Sequence, residues 1–423
     1  MSRFHLSTVV VLGTFDTKGR EYGYVKECLV ESGVTPLMID FGVLADPPFN
    51  PDISARDVAR AGGADLAELS SCHTGGDARA VALEVMTKGL IEILKTLREE
   101  GRCDAVFGLG GSGGSSVISE AMRSLPVGVP KLLLSTMASG DVGNYIGTKD
   151  ICIMYSITDI AGLNRISRPI LRNAAYAIAG MAKGGLPVQQ EDKSIVAITM
   201  FGITTTGALR IVDRLEEEGF ETIVFHANGS GRAMEELIDE GLIDGVIEYT
   251  LSELTDNLLG GAFGAGPNRL EAAGRQGIPQ IVVPGGVEVL NFGARDTVPE
   301  KYDAPERKII IHNPYVCAAR INMEESDQLG KLIADKLNQA TGPTAVMIPL
   351  DGLDKYQAPP DGPWIDKEKD RALFDALRSN LKPGITYTEL DDYINNHSFS
   401  DAVVESFLEL WEKYQKEKMG FGY

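Results

Sequence analysis

Thr8-Val9-Val10-Val11-Leu12 runs directly into Gly13-Thr14-Phe15-Asp16-Thr17-Lys18-Gly19. An unbroken β-branched and apolar run without polar alternation reads as a parallel strand buried on both faces. The glycine-bounded turn leads into a helix reaching about Ser32, with Val25, Cys28 and Leu29 at helical spacing. Gly33 stops that helix, and Pro36-Leu37-Met38-Ile39-Asp40 forms the next strand. Strand, helix and strand make one βαβ unit with a right-handed crossover.

The pattern continues outward. A long helix is expected from about Asp77 to Glu100, then strand Ala105-Val106-Phe107, the glycine run 108–116, and strand 131–135. A strand from Ile151 to Ile157 and a helix near Asn164 to Lys183 complete this half. The polar stretch Gly184 to Lys193 reads as a linker. The pattern then restarts with strand 194–200, a turn to Gly207, a helix, and strand 220–226. Thr17 and Gly19 match Thr205 and Gly207, Gly33 matches Gly219, and Gly128-Val129-Pro130 echoes Gly277-Ile278-Pro279. The expectation is α/β throughout: two related doubly wound domains with mainly parallel sheets, over 1–186 and 194–423. The second carries extra strands at 308–312 and 345–348. Extra helices are expected at 324–340, 367–378 and 401–416, the last able to pack on either domain or on a second subunit.

A chain of 423 residues is too long for one ordinary core and suits two domains. Its hydrophobic fraction of 43% is that of a globular protein. A formal charge of −20 repels nucleic acid and anionic membranes, so neither is an expected partner. Cys28, Cys72, Cys103, Cys152 and Cys317 are odd in number and form no CxxC pair, which fits reduced thiols in the cytoplasm. There is no signal-peptide pattern and no apolar run approaching the roughly 20 residues of a membrane span.

The strongest chemical signal is Gly108-Leu109-Gly110-Gly111-Ser112-Gly113-Gly114-Ser115-Ser116, between a strand and a helix. Glycines let backbone N–H groups approach a phosphate, and the helix dipole favours the anion. Gly110, Gly111, Ser112, Gly113, Gly114 and Ser115 are therefore candidate ligand residues. The plainer reading is a tight turn at a close helix–strand contact. No Walker A lysine follows. The next strand ends in Ser135-Thr136, with no ribose-binding acid there. Asp16, Thr17 and Lys18 lie at the carboxyl end of the first strand, where such sheets face their ligands. Asp16 is a candidate helix cap or Mg²⁺ ligand, and Lys18 a phosphate partner. Thr136, Ser139, Gly140 and Asp141 suit a ribose, phosphate or metal, and equally a plain turn. No Cys/His spacing supports a protein-held structural metal.

In the second domain His226, Asn228, Gly229 and Arg232 form a comparable rim, with Gly285, Gly286 and Asn291 nearby. These are candidate substrate residues, and His226 and His312 are candidate acid–base groups. The glycine-rich stretch 260–267 is a candidate lid.

The motifs 13–19 and 108–114, His226-Ala227-Asn228-Gly229, Gly231-Arg232-Ala233-Met234-Glu235 and Asn291-Phe292-Gly293 together resemble a widespread bacterial family of uncharacterised proteins. That family is similar to the N-terminal, ATP-binding region of the tomato mosaic virus resistance protein of plants. The resemblance covers nearly the whole chain. It implies two Rossmann-like domains, ATP as cofactor and a homodimer. A TIM-barrel region follows in the plant protein but not here, which implies a separate TIM-barrel partner protein. This chain has Gly285-Gly286-Val287-Glu288 where relatives are expected to read Gly-Ala-Leu-Asp. The functional expectation is an ATP-binding enzyme of small-molecule metabolism, aided by Mg²⁺, with its site in the interdomain cleft. The alternatives are a non-catalytic, nucleotide-gated interaction protein, and an ATP-independent hydrolase or isomerase acting on a small acidic metabolite.

Overall fold

The computed structural model describes residues 6–71, 76–184 and 193–418. It divides into two compact units, Met1–Gln189 and Gln190–Tyr423. Residues 185–192 of the expected linker, and Cys72, lie outside the described residues.

In the first unit β1 (Thr8–Gly13), β2 (Thr35–Asp40), β3 (Ala105–Gly110), β4 (Lys131–Ser135) and β5 (Ile151–Tyr155) form one parallel sheet in the order β2-β1-β3-β4-β5. The unbroken apolar run of β1 has a direct cause. Val10 and Leu12 face the layer containing Met86, Leu90 and Ile118, while Val9 and Val11 face Val25, Leu29 and Ile178. Burying both faces removes the polar alternation of a half-exposed strand.

The strand order reverses between β1 and β3, which is where such sheets bind ligands. Pairing of β1 with β3 ends at Leu12↔Gly108, whereas pairing with β2 continues to Gly13↔Asp40. The hydroxyl of fully buried Tyr22 fills the resulting gap. It accepts from Leu109 N–H (2.9 Å) and lies 2.6 Å from the Leu12 carbonyl. Replacing Tyr22 by Phe orphans a buried amide, and the expected cost is about 1–3 kcal/mol. Urea unfolding followed by circular dichroism measures the loss, with faster hydrogen exchange at Leu109.

The second unit repeats this plan. β6 (Ile195–Met200), β7 (Glu221–His226), β8 (Gly245–Glu248) and β9 (Gln280–Val282) belong to a six-stranded parallel sheet. Between them and the sheet's last two strands the chain inserts β10 (Val289–Phe292), β11 (Ile310–Asn313) and β12 (Val316–Arg320), a small antiparallel sheet in the order β10-β12-β11. β13 (Thr344–Pro349) and β14 (Thr386–Leu390) then complete the large sheet, whose order is β7-β6-β8-β9-β13-β14. The first four strands of each sheet follow the same order. The glycines matched in sequence share a packing role. A Cβ would fall 2.3 Å from Pro48 Cγ at Gly19 and 2.2 Å from the Tyr249 hydroxyl at Gly207. The last helix, His397–Lys418, packs within its own unit, where Asp401 pairs with Arg210 at 2.8 Å.

Glu288, just before β10, is buried beside the buried Asp354 and Arg320; its carboxyl receives no N–H or other fixed donor from another described residue and faces the Asp354 carboxyl, with which it can share a proton. Burial and the Asp354 charge push the Glu288 carboxyl well up, and burial raises Asp354 to about 7. Both folded values lie above the unfolded carboxylate range of about 4. Their contribution to stability is therefore fully present below about pH 4 and is lost as pH rises towards 7 and beyond. Glu288→Gln should stabilise the protein at pH 8 and flatten the decline in stability between pH 5 and 8. Both tryptophans, Trp364 and Trp411, lie in the second unit, so tryptophan fluorescence in urea reports this effect.

Among the described residues no helix is long and apolar enough to cross a membrane.

Candidate functional site

At the β1/β3 divergence the first unit holds a cavity of about 510 Å³. Its floor is the turn 14–18 after β1 and the segment 110–114 after β3; Phe41, Val43 and Leu44 form one wall, and Arg79, Ala82, Leu83 and Met86 the other.

The glycine run divides into two roles. A Cβ on Gly108 would fall 2.6 Å from Ile118 Cγ2, and one on Gly110 would meet the Gly114 backbone at 3.1 Å. These two permit the close strand–helix contact. Gly110 also borders the cavity, together with Gly111 to Gly114. The loop is a single residue, because β3 extends to Gly110 and the helix Ser112–Arg123 begins after Gly111. No side chain caps this helix, so its first-turn amides form an open anion-binding end. A side chain at Gly113 would press on the Arg79 guanidinium, whose Nη2 lies 3.3 Å from the added Cβ, and on no other group within 4 Å.

The other residues expected around this site divide similarly. Asp16, Thr17, Lys18 and Ser112 line the cavity. Asp16 does not cap its own helix: Oδ2 accepts the Leu44 N–H at 2.9 Å across the wall, while Oδ1 is buried without a partner. Lys18 donates to the Ile160 carbonyl at 2.6 Å. Ser115 is turned inward, fully buried, with its hydroxyl 2.7 Å from that of Ser135. Thr136 approaches Gly111, its hydroxyl 3.8 Å from an added Cβ. Ser139, Gly140 and Asp141 are exposed and do not line the cavity, and Asp141 accepts the Gly143 N–H at 2.8 Å.

Sequence reasoning did not single out Arg79, the wall 41–44 or the role of Asp40. Arg79, Ala82, Leu83 and Met86 lie at helical spacing on one stripe of the helix Gly76–Glu99, a signal present in the sequence. Asp40 ends β2, where a dinucleotide fold places its ribose-binding acid. Here its Oδ1 accepts from the Phe15 and Gly42 N–H groups at 2.9 and 3.0 Å. Burial raises its carboxyl to about 6.

The rim of the second unit is built differently. Its strand-to-helix turn after β7 contains amides suited to an anion, but Glu253 already occupies them. Glu253 Oε1 accepts from Gly229 N–H at 2.7 Å and Gly231 N–H at 3.0 Å. Its Oε2 accepts from Arg269 Nε at 2.7 Å, and Arg269 is fully buried among Glu235, Glu248 and Glu253. Arg232 is exposed and pairs weakly with Glu236 at 3.7 Å. His226 and Asn228 are exposed, as is His312. Gly285 packs against the Tyr249 carbonyl, and Gly286 adopts φ +63° and donates its N–H to Leu353 O. Asn291 is buried, bonding Asp256 through its backbone N–H (2.8 Å) and side-chain amide (3.1 Å). Asp256 also accepts Phe263 N–H, and Asn257 clasps Gly266 at 2.6 and 3.0 Å, so 260–267 is a tethered loop rather than a free lid.

Residues 7–187 match the model of the N-terminal domain of the Uncharacterised protein family (UPF0261), and residues 193–411 match that of its C-terminal domain. The chain belongs to this family. A UPF0261 protein of Clostridium tetani is 42% identical over 407 residues, spanning 96% of this chain and 99% of its own length. One from Rhizobium meliloti is 38% identical, over 96% and 99%. The ToMV resistance protein Tm-1(GCR237) of Solanum lycopersicum is 38% identical over 362 residues. That match covers 82% of this chain and 48% of the tomato protein. Similarity to these bacterial relatives therefore spans both units of this UPF0261 chain and nearly the whole length of each relative.

Proposed function

We propose that the first unit binds ATP in the β1/β3 cavity and serves a cytoplasmic enzyme of small-molecule metabolism that works as a homodimer. The carrying observation is the cavity's two-sided chemistry. An apolar cleft between Phe41, Val43, Leu44 and Met86 suits a flat base, and the uncapped turn 111–114 suits phosphates. A dinucleotide fits less well, because Asp40 does not line this cavity and its Oδ1 is held by two backbone amides. Asp16 is the one carboxylate among the cavity's lining residues and the group that would hold Mg²⁺, which commonly takes one or two protein carboxylates and completes its shell with phosphate oxygens and water. Its Oδ1 lies against Gly42 and its Oδ2 accepts the Leu44 N–H, so holding the ion requires this side chain to turn towards the cavity. Among the described residues no group of three or more His, Cys, Asp or Glu is placed to hold a metal alone. The resemblance to the plant resistance protein supports the same ligand.

The test is thermal unfolding of the full chain with and without Mg-ATP. A ligand at about 100 times its dissociation constant stabilises by about 2.7 kcal/mol. The expected result is a higher melting temperature for the first unit with ATP, and an unchanged one with NAD. Equal melting with and without saturating ATP contradicts the proposal.

A further inference from the structure

We infer that Arg79 is the phosphate-clamping residue of this cavity and sets its preference for nucleotides with several phosphates over the bare nucleoside. The inference rests on the nucleotide reading of the same site and assigns a residue that lies outside every glycine motif. On the helix Gly76–Glu99, positions 79, 82, 83 and 86 fall on one face. Ala82, Leu83 and Met86 give that face an apolar surface along the cavity, and Arg79 ends it at the anion corner. The guanidinium stands 3.3 Å from where a Gly113 Cβ would be, over the uncapped first turn of the helix Ser112–Arg123.

The two cations on the cavity wall differ in availability. Lys18 already donates to the Ile160 carbonyl at 2.6 Å, whereas Arg79 has no hydrogen bond or ion pair among the described residues. The charge of the cavity is therefore divided. Asp16 makes the β1 side negative, and Arg79 with the helix end makes the β3 side positive. A ligand satisfying both sides carries its phosphates at the β3 end and a metal ion or hydroxyl groups at the β1 end. Arg79 suits the phosphate end because its planar fork pairs with two oxygens at once.

The test is calorimetric titration of wild type, Arg79→Ala and Arg79→Lys with Mg-ATP, AMP and adenosine. Arg79→Ala is expected to weaken ATP roughly 10- to 100-fold, AMP less, and adenosine under about twofold, with Arg79→Lys intermediate for ATP. Arg79 is exposed and unpaired among the described residues, so unchanged melting of both variants verifies folding. Wild-type affinity for ATP in Arg79→Ala overturns the inference, as does an equal loss for ATP and adenosine. A wild type that ignores ATP refutes the nucleotide reading. Tripolyphosphate then decides Arg79 separately, because Arg79-dependent binding upholds the clamp and Arg79-independent binding or none removes it.

Discussion

Gly113→Val should abolish ATP binding in a protein that still folds. The helix Ser112–Arg123 reaches its open end at Gly113, and an added Cβ there meets only Arg79, at 3.3 Å. The valine methyl groups would occupy ligand space rather than protein interior and keep a phosphate from the first-turn amides. The expected loss is roughly 100-fold or more, about 2.7 kcal/mol. Its control is Gly108→Val, whose Cβ lies 2.6 Å from Ile118 Cγ2 and therefore damages the strand–helix contact itself. Titration and thermal melting on both variants separate the two roles. Retained ATP affinity in a folded Gly113→Val protein would remove the phosphates from this turn.

Arg269→Leu should destabilise the second unit by about 3–5 kcal/mol, because it leaves buried carboxylates without their cation. Arg269 reaches Glu253 at 2.7 Å, Glu248 at 2.6 Å through Nη2 and Glu235 at 3.2 Å, all within the interior. The Glu253 carboxylate that Arg269 steadies also holds the Gly229 and Gly231 amides, so the turn after β7 should loosen as well. Arg269→Lys should recover only part of the loss, since one ammonium cannot reproduce a fork shared by three carboxylates. The loss should shrink at pH 5, where orphaned carboxylates protonate more readily. Tryptophan fluorescence in urea, which reports the second unit alone, measures each case.

Much of the architecture is legible in the sequence because buried parallel strands carry continuous apolar runs. The runs at 8–12 and 131–135 correspond closely to β1 and β4. Among the strands missed, β8 (Gly-Val-Ile-Glu) and β10 (Val-Leu-Asn-Phe) are only four residues long, too short for a distinct run, while β12 and β14 lack the signal altogether. β12 is Val-Cys-Ala-Ala-Arg and β14 is Thr-Tyr-Thr-Glu-Leu, and neither is a β-branched apolar block. The glycine run was visible, but its division was not, because whether a glycine admits a ligand or a neighbouring helix depends on atoms distant in sequence. Ile118 decides this for Gly108, and the cavity decides it for Gly113.

The second-unit rim shows the converse. Its glycines look like those of an anion site, yet Glu253, distant in sequence, supplies the anion from within the protein. In the topological place where the first unit puts Gly113, just inside the helix after its third strand, the second unit puts Glu253. The same fold thus presents an open helix end in one unit and a self-satisfied nest in the other.

Calorimetric titration of the full wild-type chain with Mg-ATP, beside NAD and magnesium alone, tests the central claim most directly. The account predicts saturable binding of one ATP per chain, with no binding of NAD. No heat of binding at millimolar ATP would contradict it, and the cavity between β1 and β3 would then belong to a different anion.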